Sequence, residues 1–467
     1  MRAEPPPLAA DSTALRALLP TVLDALHDGA AARRGPLPAG GPEAVTRQVR
    51  EALGEALPEK GTGPDEALRA VVHALAAGAA DPAHSLCAAH LHTPPLALAV
   101  AADLAASALN PSMDSWDQAP AASALEALVT TALATEIFPT TAETGTPATS
   151  ETGTPDALVT TGGTESNQLA LLLARERQAH TRVVVGANAH HSFHRAAWLL
   201  GLPEPVTVPA PNGTMDPVAL DEALTDLGGP LLVAATAGTT DAGQIDPLPE
   251  IADLCAAHGA DLHVDAAYGG PLLFSDTHRA LLAGLDRART VTVDLHKLGW
   301  QPAAAGILAV RDATDLAVLA HTADYLNADD DTEAGLPDLL GRSLRTTRRP
   351  DVIKTAVTLR ALGRTGLGAL VDACMDRARH LADLVEKAPG LELYARPTLT
   401  TVLFRPHDLP DGAVAAVRRT LLAEGRAVLG RATADGRTWL KATLLNPHAT
   451  PGDLEEIITL VEGSTPR

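Results

Sequence analysis

"TVTVDLHKLGWQP", residues 290–302, begins as a buried strand and ends on a charged amine. Thr290 to Leu295 are mostly β-branched or apolar, the composition of a strand covered on both faces. His296 and Lys297 follow, and then Gly299 and Pro302 break regular structure. A lysine at the end of a buried strand is costly unless its charge is paired or its amine is used chemically.

Other runs around this stretch read the same way. From about residue 157 come "TRVVVGA", "GPLLVAAT", "ADLHVDAA", "RTVTVDLH" and "AAGILAVR", with helical stretches such as "QLALLLARERQAH" and "LPEIADLCAAHG" between several of them. Strands alternating with helices predict an α/β fold with a mainly parallel sheet. Ligands in such sheets gather at the carboxyl ends of strands. Residues 1–85 alternate helical patterns such as "STALRALLPTVLDALHDG" with Gly/Pro joints, which predicts a helical N-terminal segment. After residue 345 the pattern turns helical again, and "TLTTVLFRP", "RAVLGRA" and "TWLKATLLN" predict a smaller α+β domain. The expected division is therefore 1–85, 86–345 and 346–467. One low-complexity patch, "AETGTPATSETGTPD" at 142–156, reads as an exposed loop.

Composition narrows the function. A net charge of −21 over 467 residues argues against nucleic acid or an anionic membrane as a partner of the general surface, though not against a local basic pocket for one phosphate. Cys87, Cys255 and Cys374 lie far apart, without metal spacing or a disulfide framework. The opening "MRAEPPPLAADS" has no apolar core of the kind a secretory leader carries, and "LALAVAADLAASAL" is too short to span a bilayer and contains Asp103. A cytoplasmic protein without a metal is expected.

Four segments fall at strand ends or helix starts. "TTGGTESNQLALLL" (160–173) is a Gly-Gly-Thr turn opening a helix, where N–H groups and the helix dipole attract phosphate. Gly162 and Gly163 permit close approach, and Thr164 and Ser166 offer hydroxyls; taken alone, the turn reads rather as a helix capped by Thr164. "ANAHHSFHRAA" (187–197) places His190 just past a strand, either to stack on a flat ring or simply as a half-buried loop residue. "LHVDAAYGG" (262–270) ends a strand on Asp265, whose carboxylate needs a cationic partner, from a ligand or from an arginine. Lys297 follows Asp265 by about one strand–helix–strand crossover, which sets both at the same sheet edge. A phosphate cradle, a stacking histidine, an acid and a lysine fit one cofactor, pyridoxal 5'-phosphate.

With these residues in place, the sequence resembles the group II pyridoxal-phosphate-dependent amino-acid decarboxylases over roughly residues 80–370. The resemblance rests on "HLHTPPL", "SMDSWDQAPAASALE", "TTGGTESN", "AHHSFHRAA", "ATAGTTDAGQIDPL", "HVDAAYGG", "DLHK" and "SLRTTRRPDVIK". It implies a fold-type I enzyme with Lys297 as the Schiff-base lysine, His296 helping to hold the phosphate and Asp265 as the ring-nitrogen partner. Ala267 would pack on one ring face and His190 on the other. Gly163 and Thr164 match the phosphate turn, Thr240 and Asp246 match polar positions near the cofactor, and Thr93 matches a contact to the substrate carboxylate. The implied reaction is loss of CO₂ from an amino acid, in a homodimer whose N-terminal helices contribute to the interface.

The chain departs from the family pattern in three places. Animal aromatic-acid members carry a tyrosine on a mobile loop; residues 326–345, "LNADDDTEAGLPDLLGRSLR", contain none. Tyr325, His190 or a water is then the donor to Cα, and a decarboxylation-coupled oxidative deamination to an aldehyde stays open. Asp114, in "SMDSWDQ", stands where aromatic-acid enzymes have an aromatic side chain. It reads either as the partner of a second substrate amine or as a helix cap or arginine partner. "HLHTPPL" and "SMDSWDQAPAA" are more similar to bacterial 2,4-diaminobutyrate decarboxylases, so a diamino acid is expected, with lysine or ornithine next. Asp294 stands where many relatives have asparagine; a carboxylate aimed at a phosphate would repel it, so Asp294 is expected to face elsewhere. The competing readings are another fold-type I reaction and a catalytically silent paralogue; the presence of both Asp265 and Lys297 argues against the paralogue.

Overall fold

The computed structural model describes residues 7–139, 153–323 and 326–465. It divides into two compact units, Met1–Pro94 with Arg377–Arg396 and Thr401–Arg467, and Pro95–Asp376 with Pro397–Thr400.

The strands are β1 (Cys87–Ala88), β2 (Asp156–Thr160), β3 (Arg182–Gly186), β4 (Val206–Val208), β5 (Leu231–Thr236), β6 (Asp261–Asp265), β7 (Thr290–Asp294), β8 (Gly306–Val310), β9 (Leu391–Leu393), β10 (Thr401–Pro406), β11 (Val428–Ala434) and β12 (Arg437–Thr443). The helices are α1 (Ser12–Arg33), α2 (Gly41–Leu53), α3 (Pro64–Gly78), α4 (Ala97–Leu109), α5 (Pro120–Ile137), α6 (Gly163–Arg177), α7 (Ser192–Leu200), α8 (Pro217–Asp226), α9 (Leu248–His258), α10 (Asp329–Glu333), α11 (Val352–Lys387), α12 (Asp411–Ala423) and α13 (Pro451–Gly463).

In the larger unit, seven strands run in the order β2-β8-β7-β6-β5-β3-β4. Only β8 opposes the rest, pairing antiparallel with both β2 and β7. Helix α6 lies across one face. Its Leu169, Ala170 and Leu173 pack with Leu158, Leu308 and Val310, and its Leu171 and Ala174 pack with Val183, Val185, Leu232 and Phe193. Each buried Val or Leu contributes about 1.5–3 kcal/mol. That grip fixes where the first turn of α6 points.

The segment that carries "SLRTTRRPD" is held by a bidentate buried pair, in which Arg348 donates to both oxygens of Glu126 at 2.6 Å. Lys354, fully buried, sits 3.4 Å from both Asp103 and Asp351. These charges serve the fold, since removing one partner would strand the other in the interior.

In the smaller unit, β1-β11-β12-β10-β9 form a five-stranded sheet. Leu86, Val402, Phe404, Leu429, Leu440 and Ile457 are among the residues of its core. Helices α1 and α3 approach closely at Gly29, where a Cβ would come within 2.7 Å of the Ala76 methyl. His90, Arg418, Arg419, Arg431 and Lys441 line a pocket of about 310 Å³, a local basic site on an acidic chain. Burial first, then Lys441 and Arg418, pushes the pKa of His90 down. Among the described residues, no helix is long and apolar enough to cross a membrane.

Candidate active site

Strands β6 and β7 are parallel neighbours, with Asp265 paired to Thr292. Both therefore leave the sheet at the same edge, and Asp265 and Lys297 emerge there together. The crossover between them consists of short 3-10 turns at Gly270–Phe274, Arg279–Leu282 and Leu285–Arg287 rather than the expected α-helix. The glycines and proline of "YGGPLLF" break a regular helix at its start.

The turn before α6 depends on glycine. Gly162 is the N-cap with φ 147°, a conformation that side chains rarely adopt, and a Cβ there would meet His296 Cε1 at 2.8 Å. A Cβ on Gly163 would lie 3.0 Å from the Ala267 methyl and 3.3 Å from Asp294 Oδ2. The first-turn N–H groups, beyond reach of any intrahelical carbonyl, gather at this point. Thr164 is exposed and is not the cap. The Ser166 hydroxyl is turned inward, 2.7 Å from Thr160 Oγ1, so it is not the outward donor that the sequence suggested.

Asp265 has no ion pair with an arginine among the described residues. Its Oδ2 accepts from Asn167 Nδ2 at 2.8 Å and its Oδ1 from the Ala267 N–H at 3.0 Å. Asn167 is the hub of a buried network. Its second amide hydrogen reaches Ser192 Oγ at 3.0 Å, and its Oδ1 accepts from His263 Nε2 at 3.0 Å and Thr292 Oγ1 at 2.9 Å. Because Oδ1 only accepts, His263 carries its proton on Nε2, and Nδ1 accepts from Thr290 Oγ1 at 2.8 Å. Burial pushes the His263 pKa down to about 4, so the ring is neutral.

The same reasoning orients His190. Its Nδ1 receives the Ser192 N–H at 3.3 Å and lies 2.9 Å from the Ser192 hydroxyl, which leaves the proton on Nε2. Burial lowers its pKa foremost, Asp265 opposes that, and His191 and Lys297 reinforce it. Burial likewise lowers the pKa of His296, whose Nδ1 lies 3.3 Å from both Ala305 O and Ala305 N.

Lys297 Nζ sits 2.8 Å from Asp294 Oδ2. The expectation that Asp294 faces elsewhere is overturned. Thr290, Thr292 and Asp294 alternate onto the one face of β7 that α6 covers, so the carboxylate is buried beside the Gly162–Gly163 turn. Its Oδ1 is buried without a hydrogen-bond partner among the described residues.

Thr240 lies exposed on its turn. Both oxygens of Asp246 are occupied within the fold, by Asn188 Nδ2, Met215 N and Thr236 N at 2.7 Å each. Asp114 is buried and accepts from Gln118 Nε2 at 2.8 Å; it pairs with no arginine among the described residues and provides no side-chain cap to the turn Trp116–Gln118. Among the described residues, no hydrogen bond or ion pair joins it to the Lys297 cluster. Thr93 belongs to the smaller unit, its hydroxyl buried without a partner among the described residues. Tyr325 lies outside the described residues.

Residues 47–407 match the pyridoxal-dependent decarboxylase conserved domain. The chain belongs to the pyridoxal-dependent decarboxylase family. It is similar to L-2,4-diaminobutyrate decarboxylase of Rhizobium meliloti (strain 1021), 40% identical over 88% of this chain and 84% of that one. The namesake from Acinetobacter baumannii is 30% identical over 89% and 86%. Among solved structures, the glutamate decarboxylase domain of diaminobutyrate-pyruvate transaminase and L-2,4-diaminobutyrate decarboxylase from Vibrio parahaemolyticus superposes with a TM-score of 0.84. It is 32% identical and covers 97% of this chain and 96% of that one.

This decarboxylase is therefore a pyridoxal-phosphate-dependent carboxy-lyase, and the cluster suits that cofactor. A Cβ at either glycine would fill the cradle, Lys297 presents an amine, and Asp265 presents a carboxylate with donors on both oxygens. Asp294 alone runs against the fit. Sequence reasoning missed Asn167, Ser192 and His263. The signal for two of them was present. His263 and Asp265 share a strand face, and Asn167 interrupts the apolar underside of α6 one turn after Gly163.

The buried neutral His263 gives the decarboxylase a pH-dependent stability. Its folded pKa lies below its unfolded value of about 6.5, so its contribution is complete above pH 6.5 and is lost as pH falls toward 4. The loss amounts to about 3 kcal/mol. Thermal unfolding should show the Tm of the wild type falling more steeply across that window than the Tm of His263→Gln. Parallel curves would contradict it.

Proposed function

We propose that this decarboxylase converts L-2,4-diaminobutyrate to 1,3-diaminopropane and CO₂. The observation that carries the reading is the joint presence of the Lys297–Asp265 edge and a 40% identical diaminobutyrate decarboxylase matched over 88% of the chain. Bound pyridoxal phosphate supplies the electron sink for the charge left at Cα when CO₂ departs. Lys297 Nζ is the group that holds the cofactor's carbonyl carbon. Asp265, fixed by Asn167 and the Ala267 amide, keeps a proton on the ring nitrogen by its negative charge. Ala267 and His190 would flank the ring, and the Gly162–Gly163 turn with Thr164 and His296 would take the phosphate. The return of a proton to Cα is assigned to His190, whose Nδ1 is committed to Ser192 so that the proton is on Nε2. Thr93 is assigned to the substrate carboxylate.

The second amine of the substrate is assigned to Asp114, buried with no cationic partner among the described residues. We assign the active form to a homodimer in the cytoplasm, with Asp114 serving the neighbouring subunit. Exposed Leu23, Leu26, Val71 and Leu75 on α1 and α3 supply apolar surface for the interface.

A panel of amino acids assayed for CO₂ and for amine against aldehyde tests the assignment. Diaminobutyrate is expected to lead, with lysine and ornithine behind. Asp114→Ala should raise the KM for diamino acids by about tenfold or more, the scale of one lost charge-assisted contact. Turnover of an apolar or aromatic acid with diamino acids inert would refute the substrate, and aldehyde as the main product would refute simple decarboxylation.

A further inference from the structure

We propose that Asp294 makes the cofactor cradle select against phosphate, so that this enzyme holds pyridoxal phosphate loosely and exchanges it readily. The inference rests on the reading of Lys297 and the Gly162–Gly163 turn as the cofactor site. It goes beyond that reading by assigning a cost to one residue of the cradle.

Three observations carry it. Asp294 is buried, and its Oδ2 lies 3.3 Å from the point where a Cβ of Gly163 would stand, beside the turn whose helix start favours a phosphate. Its Oδ1 is buried, faces the Cβ position of Gly162 at 3.6 Å, and has no hydrogen-bond donor among the described residues. Among the described residues, the only cations that reach the carboxylate are Lys297, at 2.8 Å, and His296, at 3.5 Å. His296 is biased toward its neutral form by burial. Once Nζ is committed to the cofactor's carbonyl carbon, the lysine is no longer a full ammonium partner. The carboxylate charge then stands against the phosphate in a site shielded from water, where like charges interact strongly. An amide of the same shape would remove the repulsion and offer an N–H to a phosphate oxygen.

The test is cofactor binding rather than turnover. Wild type, Asp294→Asn and Asp294→Ser are stripped of cofactor and titrated with pyridoxal phosphate and, separately, with pyridoxal, which lacks the phosphate. The visible absorbance of the lysine-bound cofactor and its loss after dilution are followed. Freeing the amine of Lys297 affects both ligands, so the ratio of the two affinities isolates the phosphate. That preference for pyridoxal phosphate is expected to rise at least tenfold in both variants, about 1.4 kcal/mol, with slower release of pyridoxal phosphate. An unchanged or lower ratio overturns the proposal, including the case in which both ligands gain equally. If wild type takes up neither ligand while remaining folded, the cofactor site itself is misassigned. Serine guards against an asparagine that disturbs the turn.

Discussion

Lys297→Arg is expected to fold as wild type does, remain colourless with pyridoxal phosphate and release no CO₂ above background. The fall in kcat is at least about a thousandfold, some 4 kcal/mol of barrier. Arginine keeps a permanent positive charge beside Asp294, so the ion pair seen at 2.8 Å persists in kind and the buried carboxylate is not stranded. What arginine lacks is an amine that can lose its proton and attack a carbonyl carbon. Lys297→Ala should lose the chemistry as well and also lower the Tm, because it leaves Asp294 buried without its nearest cation. The pair of variants separates chemistry from folding. Absorbance titration, CO₂ release and thermal unfolding measured on the same preparations settle it. A coloured Lys297→Arg, or one that keeps more than a few per cent of turnover, would show that the amine at this strand end serves only the fold.

The position of Lys297 was legible in the sequence because a strand's burial and its termination are local properties. "TVTVD" is β-rich and unbroken, and the glycine and proline after it end regular structure. Placing Asp265 and Lys297 at one edge needed one further rule, that successive parallel strands leave a sheet at the same edge, and β6 and β7 obey it. Side-chain partners were not legible, because they depend on which helix lies over which face. Asp294 illustrates this. Sequence reasoning applied electrostatics to a bound phosphate and turned the carboxylate away, whereas strand alternation puts it on the same face as Thr290 and Thr292, under α6. Packing of α6 against β2, β3, β5 and β8 fixes that face, and a single carboxylate cannot reverse the register of a strand so held. Asn167 escaped notice for a related reason. Its value lies in four partners from α7, β6 and β7, none of them near it in the chain.

Asp265→Asn should lower kcat by about a hundredfold or more, roughly 3 kcal/mol of barrier, while cofactor still binds to Lys297. The charge is what matters. A carboxylate facing the ring nitrogen stabilises a proton there, and that proton lets the ring accept electrons from Cα; a neutral amide gives no such bias. The surrounding network sharpens the expectation. Both oxygens of Asp265 accept from N–H donors, Asn167 Nδ2 at 2.8 Å and Ala267 N at 3.0 Å. Asparagine has one accepting oxygen, so its own amide hydrogens must face one of those donors. Asn167 cannot flip to relieve the conflict without turning its amide hydrogens toward His263 Nε2–H and Thr292 Oγ1. A buried donor facing a donor costs about 1–3 kcal/mol, so a lower Tm should accompany the kinetic loss. Asn167→Asp in the same background would separate the two effects: it restores an acceptor toward the new amide and with it part of the Tm, but leaves the ring nitrogen without the charge fixed opposite it. Recovery of stability without recovery of kcat is the expected pattern. If kcat and Tm instead return together, or if Asp265→Asn alone turns over at the wild-type rate, Asp265 is a packing residue and the ring nitrogen takes its proton from elsewhere.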